Sequence, residues 1–175
     1  RAIAGVDDSK KLDAATRVVL AARICEQALV VSLGAASARE IDRINIYHAT
    51  VLAMRRALDR VPSRLGCAPH HVLIDGKPLR TLGTVHTAVV KGDGKCYAIA
   101  CASIVAKVTR DRLMNELDQA FPGYGFAAHK GYGTEEHREW SRGWTIGGWI
   151  TPLGQFIIPY LVIRESLLKL DRESK

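Results

Sequence analysis

The chain has 175 residues, of which 47% are hydrophobic, and it carries no internal repeat or low-complexity tract, which excludes repeat architectures and favours one globular domain. Its net charge of +7 favours a polyanionic partner, although arginines on solvated helix faces would give the same charge. The four cysteines lack paired or disulfide-scaffold spacing, so we expect free thiols in a reducing compartment.

The first third of the chain predicts a helix followed by a strand. Residues 4–12 are turn-like, and residues 13–28 then have the apolar spacing of an amphipathic helix that Asp13 could cap. The apolar run over residues 29–33 ends at a glycine, which is typical of a strand.

A second helix is predicted to begin at Ser37, because Glu40 follows three residues later in a capping-box pattern. Its apolar face extends to about Val61, and residues 62–69 are predicted to be a loop. The opposite face of this helix is basic, and exposure to solvent explains its arginines as well as contact with a phosphate backbone would. These residues are Arg39, Arg43, Arg55, Arg56 and Arg60.

Two carboxylates, Asp75 and Asp93, follow apolar runs that read as buried strands, residues 72–74 and 85–90. Both precede glycine, where the chain leaves the sheet, and a long amphipathic helix over residues 98–121 follows. Because like charges repel, two carboxylates at one edge indicate a divalent cation. The alternative is plain turn chemistry, since Asp-Gly and Gly-Asp are common turn pairs.

The last part of the chain carries a Gly-rich loop with Lys130 and Tyr132, which could bind phosphate and stack on a sugar or base. Residues 144–163 contain no charged side chain and are long enough for a membrane span. Prolines and glycines interrupt that stretch, so we favour a loop and a docking C-terminal segment over a membrane protein.

Six blocks in order carry a resemblance to a known family: DSKKL (8–12), EIDRINI (40–46), LIDGK (73–77), VKGD (90–93), ASIVAKVTRDRLM (102–114) and YGFAAHKGYGT (124–134). Over about residues 4–138 the chain resembles bacterial ribonuclease HII. The resemblance implies an α/β ribonuclease H-like three-layer fold with a mixed central sheet, whose N-terminal strand or strands are missing from this chain. It places that domain at residues 4–141 and a divergent tail at 142–175.

The resemblance also implies an endonuclease of the cytoplasm, expected to be a monomer without membrane contact. Such enzymes cleave the RNA strand of RNA–DNA hybrids, and single ribonucleotides embedded in DNA, leaving 3′-hydroxyl and 5′-phosphate ends. Four carboxylates hold Mg²⁺ or Mn²⁺, of which Asp75 and Asp93 match the third and fourth. Tyr132 should stack on the sugar at the RNA-to-DNA junction. Weaker candidates for phosphate contact, or for packing near the site, are Lys91, Ser103, Lys107 and Lys130.

Two departures from the family pattern affect the prediction. The adjacent Asp-Glu pair and the Gly-Arg-Gly loop are not in this chain, and Asp7-Asp8 imitates the pair without occupying its place. The basic block expected after residues 151–153 is replaced by an apolar one. One hypothesis is a ribonuclease HII whose N-terminal piece lies outside the sequence. The other is a truncated or degraded member that binds nucleic acid weakly without cutting.

Overall fold

The computed structural model describes residues 2–130, apart from the side chain of Ala38. Its elements follow in this order: α1 (Ala14–Gln27), α2 (Ala38–Asp59), α3 (Val61–Leu65), β1 (Val72–Asp75), β2 (His86–Val89), the 3-10 turn Gly92–Gly94, α4 (Tyr97–Ala120) and α5 (Phe126–His129). All four cysteines lie in this part of the chain and are free thiols, as predicted. None of its helices could span a membrane, and residues 144–163 lie outside it.

The helix α1 packs against α4 and forms one cluster of the core with it. Asp13 caps α1 as predicted, because its Oδ1 accepts the N–H of Thr16 at 2.9 Å. The buried members of this cluster come from both helices and from the N-terminal segment: Ile3, Leu20, Ala21, Ile24, Cys101, Ile104 and Val105. Burying one large aliphatic side chain contributes about 1.5–3 kcal/mol, so this cluster holds α4 in place.

The strand predicted over residues 29–33 is wrong, although this part of the chain is extended. Buried positions alternate from Val30 to Ala36 as they would in a strand, but the segment pairs with no strand of the described residues. Arginines donate instead to alternating carbonyls at 2.7–2.8 Å: Arg64 to Val31, Arg60 to Leu33 and Arg56 to Ala35. These arginines therefore supply the hydrogen-bond donors that a neighbouring strand would otherwise supply to the backbone carbonyls.

A glycine lets this extended segment lie directly on α2. A Cβ at Gly34 would be 1.9 Å from the carbonyl oxygen of Ala53 and 2.7 Å from the amide nitrogen of Ala57. The buried Ser32 donates its hydroxyl to the carbonyl of Ala57 at 2.7 Å. Close backbone packing of this kind leaves no space for any other residue at position 34.

The helix α2 begins with the predicted capping box but contains a break. Ser37 and Glu40 cap each other, with the N–H of Ser37 donating to Glu40 Oε2 at 2.7 Å. Asn45 has φ 61° and ψ 170°, and its Oδ1 accepts the N–H of His48 at 3.2 Å, so a second helical segment starts there. The loop predicted over residues 62–69 is wrong in its first part, where α3 forms because proline suits the first turn of a helix.

The strands β1 and β2 are parallel, with Asp75 opposite Val89. The helix α2 and the crossover between the strands cover them with a second core cluster: Val51, Met54, Val72, Ile74 and Leu82. The connection between two parallel strands runs from one end of the sheet to the other, and so it passes over a face of the sheet and covers it. The predicted α/β class is confirmed, and this arrangement fixes the edge at which both strands end.

Candidate active site

Asp75 and Asp93 lie at one edge of the sheet. Asp75 is the last residue of β1, and Asp93 lies in the 3-10 turn shortly after β2. Because the strands are parallel, their carboxyl ends meet at the same edge, which is where ligands bind in open α/β sheets. The fold thus places at one sheet edge the two carboxylates that the sequence predicts will share a site.

The turn Gly92–Gly94 supplies a backbone amide to each carboxylate. The N–H of Gly92 donates to Asp75 Oδ1 at 2.7 Å, and the N–H of Gly94 donates to Asp93 Oδ1 at 3.1 Å. Each carboxylate therefore has one oxygen fixed by the backbone of this turn. Within residues 2–130 the N–H of Gly92 is the one hydrogen-bond donor to the carboxylate of Asp75, and Asp75 is exposed.

Gly92 is needed because the turn packs tightly under α4. It is buried, and a Cβ at this position would be 2.6 Å from Ile99 Cδ1 and 3.3 Å from Asp75 Oδ1. Lys91 turns the chain into the site with φ 57° and ψ 46°, a left-handed conformation uncommon for a residue with a side chain. The position of Asp75 thus depends on the absence of a side chain at residue 92.

Lys10 approaches the second carboxylate, a contact that the sequence analysis missed. Its Nζ lies 3.1 Å from Asp93 Oδ2, with the Lys10 side chain 80% exposed and that of Asp93 only 11% exposed. The hydrogen bond from Lys10 is the main cause that lowers the pKa of Asp93. The same bond, aided by the charges of Asp93, Asp8 and Asp75, raises the pKa of Lys10. Both groups are therefore ionised at neutral pH.

Hydrogen bonds hold the loop that carries Lys10 against the helices α1 and α4. Ser9 is buried, and its Oγ lies 2.8 Å from Oγ of Ser103 in α4. Arg17 in α1 donates to the carbonyls of Ser9 and Leu12 at 3.0 and 2.5 Å. Its guanidinium also lies 3.9 Å from Asp111. Ser103, a predicted phosphate contact, therefore acts in this structure as an anchor for the loop.

The other predicted nucleic-acid-binding residues do not all lie at the edge that carries Asp75 and Asp93. Lys91 is exposed beside Asp93, in the turn that leads into the site. Lys107 donates to Asp111 at 2.7 Å within α4. Lys130 donates to a side-chain amide oxygen of α4, and Tyr132 lies outside the described residues. Of these lysines, Lys91 is the one whose backbone belongs to the site.

Asp7 and Asp8, which imitate the Asp-Glu pair of the family, form their contacts within their own loop. Asp7 pairs with Lys11 at 3.2 Å, and Asp8 Oδ1 accepts the N–H of Lys10 at 2.9 Å. The prediction that Asp7 and Asp8 do not supply the first two metal ligands of the family stays a prediction. The DSKKL block, which includes Lys10, is part of the family resemblance and could have drawn attention to this residue. The sequence alone, however, does not show that Lys10 lies close to Asp93.

The donor chemistry suits a hard divalent cation. Carboxylate oxygens are the ligands that Mg²⁺ and Mn²⁺ prefer, and Mg²⁺ is commonly bound by one or two carboxylates together with waters and substrate phosphates. Within residues 2–130 no group of three or more His, Cys, Asp or Glu side chains comes together. Asp75 and Asp93 therefore fit part of a coordination sphere that a substrate or further ligands would complete.

Comparison with known proteins gives the family. A family model described as ribonuclease HII matches residues 2–150. The chain is 53% identical over 137 residues to a ribonuclease HII of Shewanella amazonensis, covering 78% of this chain and 65% of that protein. It is 51% identical to one from Synechococcus, covering 78% of this chain and 60% of the relative. The third, from Polynucleobacter necessarius, is 53% identical, covering 77% and 68%. The chain thus spans about two thirds or less of the first two relatives, and it belongs to the ribonuclease HII family.

Proposed function

We propose that this chain carries the metal-binding part of an endoribonuclease that cleaves the RNA strand of RNA–DNA hybrids and single ribonucleotides embedded in DNA. The observation that carries the proposal is the pair Asp75 and Asp93 at one sheet edge, each with one oxygen fixed by the same glycine turn. Membership of the ribonuclease HII family supports the reaction class. The basic net charge supports a nucleic-acid substrate.

In the proposed mechanism Asp75 and Asp93 would hold Mg²⁺ or Mn²⁺. The chemistry that such a metal would supply when bound is activation of a water for attack on the phosphorus and stabilisation of the leaving 3′-oxygen, which would give 3′-hydroxyl and 5′-phosphate ends. The amides of Gly92 and Gly94 help to orient the two carboxylates, because each donates a hydrogen bond to one carboxylate oxygen. The lowered pKa of Asp93 keeps it anionic, as a ligand for a cation must be.

On the substrate side we assign the phosphate contacts to exposed basic groups around this edge, with Lys91 first among them. By resemblance Tyr132 stacks on the sugar at the RNA-to-DNA junction, and Lys130 precedes it by two residues. Ser103 and Lys107 contribute by holding α4 and the Lys10 loop in place. In this proposal the nuclease domain covers residues 4–141, with residues 142–175 as a divergent tail, in a monomer of the cytoplasm.

A second candidate is a chain that binds hybrid duplexes without cutting them. The resemblance implies four carboxylates, and within residues 2–130 no group of three or more possible metal-ligating side chains comes together. Metal affinity follows the number and placement of charged oxygens, so two carboxylates alone would bind a divalent ion weakly. The two candidates differ in whether a cleaved product forms.

The test is cleavage of an end-labelled DNA duplex that carries one ribonucleotide, in Mg²⁺ or Mn²⁺. The 175-residue chain is compared with any longer product of the same gene. Each form is tested as the wild type, as Asp93→Asn and as the control Asp59→Asn. Asp59 is an exposed carboxylate at the end of α2. The proposal expects a cut at the 5′ side of the ribonucleotide that Asp93→Asn abolishes and Asp59→Asn leaves intact. Binding without any cut, in every form, would favour the second candidate.

A further inference from the structure

The two oxygens of Asp93 have different partners. Oδ1 accepts the backbone N–H of Gly94, whereas Oδ2 lies 3.1 Å from the ammonium of Lys10. The turn fixes the backbone donor to Oδ1, whereas the ammonium at Oδ2 can be replaced, so we take Oδ2 as the oxygen that an arriving cation would bind. Lys10 therefore contacts the same atom of Asp93 that the proposed metal would use.

The two partners also differ in how freely they can move. The Lys10 side chain is 80% exposed, and that of Asp93 is 11% exposed. An exposed lysine can swing into solvent at little cost, because pairs of this kind contribute little net free energy. The Asp93 carboxylate is mostly buried and accepts a hydrogen bond from the turn, so we expect Lys10 to be the partner that is displaced.

The loop beneath Lys10 is held to the helices behind it by hydrogen bonds. Ser9 bonds to Ser103, and Arg17 donates to the carbonyls of Ser9 and Leu12. The N–H of Lys10 donates to Asp8 at 2.9 Å. The lysine stem thus starts from a fixed backbone, which returns the ammonium to Asp93 whenever no stronger cation competes for it.

From these contacts we propose that Lys10 competes with the divalent ion for Asp93 Oδ2, so that metal binding displaces the ammonium from the carboxylate. The inference rests on the proposed function, because it takes Asp93 as a metal ligand. Its consequence is that Lys10 weakens binding of the divalent ion and thereby raises the metal concentration that the site needs.

Titration of Mn²⁺ into the protein, followed by the electron paramagnetic resonance of free Mn²⁺, tests the competition without any measurement of cleavage. Lys10→Met keeps much of the apolar stem and removes the charge. Lys11→Met is the matched control, since Lys11 is the next residue in the same loop and pairs with Asp7 instead. The expected result is Mn²⁺ binding about two- to fivefold tighter in Lys10→Met, the factor that corresponds to an exposed ion pair, and unchanged binding in Lys11→Met.

Asp93→Asn separates failure of this inference from failure of the proposed function. If Asp93→Asn weakens Mn²⁺ binding while Lys10→Met leaves it equal or weaker than in the wild type, the competition is wrong and the metal site stands. In that case Lys10 orients Asp93. If Asp93→Asn has no effect, or no form takes up Mn²⁺, both the proposed site and the competition are refuted.

Discussion

Replacing Gly92 by alanine should destabilise the protein and disturb Asp75 at the same time. The added Cβ would lie 2.6 Å from Ile99 Cδ1, and 3.3 Å from both Ile99 Cγ2 and Asp75 Oδ1. Carbon atoms prefer a separation of about 3.5–4.0 Å, so the first contact is too short by about 1 Å. Ile99 is 6% exposed, and its side chain has little space into which to turn.

Overpacking of this kind costs about 1–3 kcal/mol of the free energy of unfolding. In a chain of this length that corresponds to a fall in Tm of about 2–4 °C for each kcal/mol. The same shift moves the amide of Gly92 away from Asp75 Oδ1, and the loss of a group that orients a metal ligand costs about 10- to 100-fold in metal affinity. Stability and Mn²⁺ affinity should therefore fall together.

Gly94→Ala is the control from the same turn. A Cβ at Gly94 would meet nothing within 4 Å, so its effect on the free energy of unfolding should stay within about 0.5 kcal/mol. Urea unfolding followed by circular dichroism measures both variants, with a parallel Mn²⁺ titration. Equal unfolding free energies for the two variants, or unchanged Mn²⁺ affinity in Gly92→Ala, would show that the reasoning from close packing is wrong.

Three further changes test the rest of the structure. Gly34→Ala should destabilise more than Gly92→Ala in urea unfolding, because its Cβ meets the backbone of Ala53 at 1.9 Å; equal effects would contradict this. Arg17→Ala should cost about 1.5–3 kcal/mol, since its charged hydrogen bonds hold the Lys10 loop, and it should speed proteolysis there. Arg56 and Ser37 lower the pKa of Glu40 to about 2. An unfolded Glu has a pKa of about 4.3, so this stabilisation is present above about pH 5 and is lost as the pH falls towards 2. The difference in unfolding free energy between the wild type and Glu40→Gln should therefore shrink over that range.

Local rules predict well the parts of the fold that local chemistry determines. Asp13 and the pair Ser37 and Glu40 cap their helices as expected, because a capping side chain bonds to amides only two or three residues away. The strand ends at Asp75 and near Asp93 also follow from the sequence, since β-branched runs and glycines mark where a strand stops.

Parts that depend on distant partners could not be predicted in the same way. Residues 30–36 have the alternating burial of a strand, but strand formation needs a neighbouring backbone, and arginines beyond position 55 satisfy these carbonyls. The contact between Lys10 and Asp93 joins residues 83 positions apart in the chain. The break at Asn45 was missed because the apolar spacing of α2 continues through it, and one favourable capping residue inside such a pattern does not predict a break.

The most direct test of the central claim is Mn²⁺ binding by Asp75→Asn and Asp93→Asn beside the control Asp59→Asn. If the two carboxylates form one site, each of the first two variants should lose at least about tenfold in affinity, because even groups that only orient metal ligands cost that much. Asp59→Asn should bind as the wild type does. Wild-type affinity in either Asp75→Asn or Asp93→Asn would contradict a shared metal site at this edge of the sheet.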